Sequence, residues 1–310
     1  MKYLLFTLVL LNVGSLTNQL YSQNRISAAD LEEIKAVEDT LGLLSYAFVN
    51  DSLEENRFLA VRAFIPKLVG ALKKPGSFSY PFEQLNSVSI QYPADSTFRI
   101  FTWQLYVDKD NYRYYGAIQM NSEELQLFPL VDRSFELEAD LENIALSADR
   151  WYGTVYYNLH TVNYSGQTYH LLFGFDGYEF FRKRKVVDVL RFVEGKPVFG
   201  APVFVKQEND GSFTEKSRLL LEYSAAASVR LNYDPALDLL MFDHLTMVGG
   251  EYGEGPVQIP DGTYEAYRLN NGKWEHVEKV FHQILDEAPR PSPVLNGRKG
   301  KDLIGNGGKG

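Results

Sequence analysis

The sequence predicts a mainly β protein that opens with a helical hairpin. Three observations carry this. Apolar side chains recur every three or four positions between residues 27 and 74. From residue 85 the apolar period drops to two. Short turn dipeptides then punctuate the chain as far as residue 283.

In the first helix Leu31, Ile34, Val37, Leu41, Leu44 and Phe48 form the stripe. Ser27 is a suitable N-cap, and Asp30, Glu32 and Glu33 favour the positive helix end. Asn50-Asp51-Ser52 breaks the pattern, and Ser52 with Glu55 reads as a capping box for a second helix. Phe58, Val61, Ile65, Leu68 and Leu72 are its stripe, with Pro66 inside it and Lys73-Lys74-Pro75-Gly76 as the stop. So short a link predicts an antiparallel hairpin, over 23–84, packed on the domain that follows.

The strands are expected next, over 85–283. Phe98 to Tyr106 places Phe101, Trp103 and Leu105 on one face; Asp108-Lys109-Asp110-Asn111 turns, and Tyr112 to Met120 returns. Leu125–Val131, Trp151–Leu159, Tyr169–Phe175, Val186–Val193 and Val198–Val205 continue the series. Leu219–Tyr223, Ser228–Tyr233, Leu237–Leu245, Thr263–Leu269 and Trp274–Val280 complete it. Ser165-Gly166, Glu194-Gly195 and Asn271-Gly272 are hairpin dipeptides. The pattern is an antiparallel meander, which must manage its edges by closing as a sandwich, a barrel or an irregular propeller-like array.

The two ends read differently. Lys2 followed by the apolar run Leu4–Leu11 has the length of a signal peptide and is too short to span a bilayer. Residues 1–22 are the expected leader, with cleavage after Ser22. Residues 284–310 are an expected disordered tail: from Asp286 onward they hold three Pro, six Gly and five Lys or Arg without apolar periodicity.

The chain has no cysteine, which excludes lipid attachment behind the leader, disulfides, thiolate metal sites and thiol nucleophiles. An exported chain of this length must then hold its fold by packing alone. A net charge of −9 disfavours nucleic acid and anionic lipid as partners. The 20 Tyr and 20 Phe suit strands, and also a carbohydrate-stacking surface.

No Gly-x-Ser-x-Gly elbow and no phosphate-binding glycine loop occurs, and no cofactor is expected. Asp108–Asn111 starts like a calcium loop but has Gln119 at the twelfth position, so a hairpin turn is the reading. His160 and His170 are expected to face each other across one hairpin, as partly exposed polar residues rather than metal ligands. The site candidates are Asp176, Asp243 and His244, at strand ends where carboxylates near an imidazole can move protons.

Four segments carry a resemblance: Pro75-Gly-Ser-Phe-Ser-Tyr-Pro-Phe82, Phe98-Arg-Ile-Phe-Thr-Trp103, Tyr115-Gly-Ala-Ile-Gln119 and Pro260-Asp-Gly-Thr-Tyr264. In them the chain resembles exported proteins of the Bacteroidetes to which no activity is attached. The resemblance implies a Gram-negative envelope setting, with the periplasm expected before the extracellular space. The functional expectation is a non-catalytic envelope binding protein with a protein or glycan partner. The alternative is an envelope hydrolase acting on glycans through Asp176 and Asp243.

Overall fold

The computed structural model describes residues 26–137, 140–250, 253, 255–278 and 280. The expected leader and tail lie outside these residues. The chain is mainly β, with two helices ahead of antiparallel sheets and no closed barrel, so of the three expected closures the arrangement is sandwich-like.

Helices α1 (Ala28–Asn50) and α2 (Glu54–Leu72) form the hairpin. The Ser27 hydroxyl accepts the Asp30 N–H at 3.0 Å, as the sequence predicts. The Ser52/Glu55 box does not form. Leu53 takes the cap position, and the Asp51 carboxylate accepts its N–H at 2.9 Å and the Asn56 side chain. An ionised acceptor one residue earlier outcompetes a hydroxyl. Phe64 is buried in α2 while Ile65, about 100° further round the helix, is exposed.

Three sheets stack behind the helices. Strands β1 (Ser89–Gln91), β2 (Phe98–Asp108), β3 (Asn111–Met120) and β4 (Leu127–Val131) form the first, in sequence order. The second holds β5 (Leu146–Ser147), β6 (Val155–Tyr164), β7 (Gln167–Asp176), β8 (Arg182–Val193) and β9 (Lys196–Phe199). The third takes β10 (Phe204–Gln207) and β11 (Phe213–Lys216), while β12 (Leu219–Ser224) returns to pair with β8 of the second. Strands β13 (Leu231–Asp234), β14 (Leu239–Gly249), β15 (Pro256–Asn270) and β16 (Lys273–Val277) complete the third. Its β10–β16 pair is parallel, a departure from the antiparallel meander.

Each interface buries its own apolar cluster. Phe101, Trp103 and Leu105 of β2 pack under the helices, where Phe48 and Phe64 meet edge to face at 5.4 Å. Phe98 and Ile100, on the other face of β2, pack on Leu172, Val186 and Leu190 of the second sheet. That sheet's far face, with Leu171, Phe173, Val187 and Val189, packs on Leu240, Tyr267 and Trp274 of the third. Sheets covered on both sides bury apolar residues at successive positions, as Ile100-Phe101 of β2 and Leu171-Leu172-Phe173 of β7 do.

The expected strand Val198–Val205 is two strands in different sheets. Gly200 breaks it, at φ 97° and with its Cα so close to the Ile144 carbonyl that a Cβ would lie 2.7 Å from that oxygen. Among the described residues no helix is long and apolar enough to cross a membrane.

Candidate functional site

One face of β8 runs from apolar to charged. Leu190, Asp188 and Val186 point into the interface with the first sheet, and Arg184 and Arg182 continue the same face. Guanidinium groups need water or partners. Where they begin, a cleft of about 700 Å³ opens, lined by Tyr112, Tyr114, Phe135, Tyr152, Tyr178 and Arg184 among others. That volume is in the range of small-ligand sites, roughly 300–1,000 Å³.

Asp176, the last residue of β7, is the hub of one wall. Its Oδ1 accepts the Tyr114 hydroxyl at 2.8 Å and the Tyr178 N–H at 2.9 Å, and its Oδ2 accepts the Tyr152 hydroxyl at 2.5 Å. Burial pushes its carboxyl above the ordinary range against the opposing pull of these donors. A carboxylate has about four acceptor sites, and three are filled from within the protein. Asp132 is committed in the same way, to the Tyr114 N–H at 3.0 Å and to the Ser134 N–H and hydroxyl. Both carboxylates therefore brace the wall.

The rings are fixed by cations. The Arg184 guanidinium carbon lies 3.4 Å from the Tyr178 ring centre, and its nitrogens bond Glu222 at 2.8 and 3.1 Å. Tyr178 has φ 46°, a left-handed conformation that costs a non-glycine residue on the order of 1 kcal/mol. Its N–H bond to Asp176 holds it there. Tyr112 packs on the Gly177 backbone, where a Cβ would come within 2.9 Å of the ring, and the Lys183 ammonium lies 5.2 Å from its centre. Lys183 is anchored on the Gly177 and Glu179 carbonyls. At the mouth Phe135, 67% exposed, has the Arg113 guanidinium 5.4 Å from its centre.

The other two site candidates are elsewhere. Asp243 lies on β14 in the third sheet, is not among the cleft's lining residues, and accepts the Arg230 N–H at 2.7 Å. His244 sits at the β-bulge that follows it. Its Nδ1 is 2.7 Å from Asp261, and its Nε2 is 3.5 Å from Glu265, which also holds His276 at 2.5 Å. Thr263 and His244 together lower the Asp261 carboxyl to about 2. So Asp243 and His244, though adjacent, serve different partners, and Asp243 does not join Asp176.

His160 and His170 do not face each other. The two-residue turn pairs Tyr164 with Gln167, so His160 stands opposite Leu171 and His170 opposite Thr161. Successive side chains of a strand alternate faces, which puts the two imidazoles on opposite sides of the sheet. His160 stacks on Tyr233 at 3.6 Å, while His170 is buried against Phe98 and lowered to about 4 by desolvation. The Asp108 carboxylate is occupied by the Asp110 N–H and the Asn111 side chain, as a hairpin turn requires. Among the described residues no three metal-ligating side chains converge.

Compared with protein-family models, curated proteins and solved structures, the chain has no match. Of the cleft's residues sequence reasoning named Asp176 as a candidate. The signal it passed over is Arg182-Lys183-Arg184-Lys185, four cations in a row in an acidic chain and directly before an apolar strand. The tyrosines carried no signal, because most of the 20 are indistinguishable from strand-packing residues.

Proposed function

We propose that this is a non-catalytic binding protein of the bacterial cell envelope, working in the periplasm, whose ligand sits in the cleft between the first two sheets. The supporting observation is the cleft wall itself. Four tyrosines face one opening, and the two carboxylates best placed for chemistry, Asp176 and Asp132, are spent on holding the wall. Preset rings with few free reactive groups suit recognition. Glycoside hydrolysis through Asp176 and Asp243 needs both in one cleft, roughly 5–10 Å apart, and Asp243 does not line this one.

Two measurements test the reading. A thermal-shift screen of glycans and peptides compares the wild type with Tyr178→Ala. Ligands that stabilise the wild type and not the variant support the cleft; hits that are equally strong in both place binding elsewhere and sink it. For the compartment, the native protein should begin at Gln23 and fractionate with the periplasm. An intact Met1 in the membrane fraction refutes export.

A further inference from the structure

Resting on that reading, we propose that the cleft takes a short neutral saccharide, its pyranose rings stacked on Tyr178 and Tyr112 and its hydroxyls bonded to the wall.

The charge pattern selects the class. Among the described residues five carboxylates line the cleft, Asp110, Asp132, Asp140, Glu142 and Asp176, against the guanidinium groups of Arg113 and Arg184. A polyanion meets net repulsion there, in a chain that is itself acidic. A cationic ligand fails for a different reason. The rings that would receive it already hold cations, Arg184 at 3.4 Å from Tyr178 and Lys183 at 5.2 Å from Tyr112. A second cation on the same ring opposes the first across a few ångströms. A neutral ligand with flat apolar faces and a polar edge escapes both penalties. The C–H face of a pyranose fits a ring whose orientation is fixed, and its hydroxyls donate to carboxylate oxygens. Asp110, at the mouth, keeps acceptor capacity beyond its weak bond from the Phe180 N–H at 3.3 Å and its exposed ion pair with Lys109 at 3.8 Å. The preset geometry matters energetically: Tyr178 is held by Arg184 from one side and by Asp176 through its backbone, so little side-chain freedom remains to be lost on binding. Phe135, exposed at the mouth beside Arg113, extends the platform outward, which favours an oligosaccharide over a single sugar.

The experiment is calorimetric titration of the full-length exported protein with four neutral hexasaccharides (cellohexaose, maltohexaose, xylohexaose and mannohexaose), with hexagalacturonate as the acidic control and trilysine as the cationic one. At least one neutral hexasaccharide should bind, with affinity falling tenfold or more in Tyr178→Ala and severalfold in Phe135→Ala. Phe135 is exposed, so its variant folds even if Tyr178→Ala does not, and circular dichroism verifies both. Binding of hexagalacturonate or trilysine alone, lost in the same variants, overturns the neutral-saccharide proposal and leaves the cleft as the binding site. Saccharide binding that neither variant weakens overturns both. Absence of binding by all four neutral sugars overturns the proposal, and a peptide found in the thermal-shift screen to need Tyr178 then names the other partner class. Release of shorter sugars from the bound hexasaccharide would show the site to be catalytic.

Discussion

Asp188 and Asp176 lie on neighbouring strands of the same sheet and face the same interface, yet one is sealed and the other fronts a cleft. Asp188 and Arg218 are both fully buried, 3.0 Å apart, with the Tyr156 hydroxyl 3.2 Å from the carboxylate and the Leu141 carbonyl taking another Arg218 nitrogen. Among the described residues no cation hydrogen-bonds Asp176; tyrosine hydroxyls and a backbone N–H satisfy it. The comparison teaches that, within this interface, the sealed carboxylate is answered by an opposite charge. A carboxyl at the border is answered by neutral donors, which leaves the nearby cations free to fix aromatic rings.

The largest effect should come from breaking the sealed pair. Arg218→Met leaves Asp188 buried without a counter-ion, and a loss of about 3–5 kcal/mol is expected in denaturant unfolding. The double variant Arg218→Met/Asp188→Leu should recover much of it. If the single variant is as stable as the wild type, the seal is not what this geometry implies.

The next effect concerns His170, which faces the same interface. His170 is 3% exposed and its pKa is lowered from 6.5 to about 4. The unfolded chain therefore takes up a proton in a range where the folded one does not. His170 contributes stability above about 6.5 that is lost as pH falls toward 4, up to about 3 kcal/mol. His170→Gln should flatten that part of the stability–pH curve. An unchanged slope would assign the acid sensitivity to other groups.

At the border the cost should be smaller. Tyr152→Phe removes one donor from Asp176 and one contact to Arg184, for about 2 kcal/mol. Asp176→Asn sharpens the point through its pH dependence. Because burial raises the carboxyl's pKa, its contribution is fully present at low pH and lost as pH rises through the folded value. The stability of the Asn variant relative to wild type should thus improve from pH 4 to pH 8; the opposite trend would mean that Asp176 is stabilised as an anion.

Asp243→Asn should matter least. An amide oxygen can still accept the Arg230 N–H, so a change below about 1 kcal/mol is expected, with ligand affinity unaltered. A loss of binding in that variant would move the site to the third sheet.

Much of the fold was legible in the residues. The Ser165-Gly166, Glu194-Gly195 and Asn271-Gly272 dipeptides all have positive φ at both positions, the paired left-handed turn that suits strand twist. The helical stripes differ from expectation mainly at Phe64 and Ile65. The site was far less legible. A one-residue difference in the pairing across the 164–167 turn placed two histidines on one face that belong on two. The Asp243–His244 pairing failed because the bulge and the alternation of the strand gave each its own partner.

By itself the sequence determined the helical hairpin, the strands and the turns that join most of them. Periodicity and turn chemistry are local, set by residues a few positions apart. Only the tertiary structure decided that Gly200 sends the chain from one sheet to another, and that Tyr112, Tyr152 and Tyr178, from separate segments, meet around one opening with Asp176 and Arg184. Those juxtapositions depend on which sheet faces which. That choice is made by the burial of both faces of the middle sheet, a property shared across the whole chain and written in no single stretch of it.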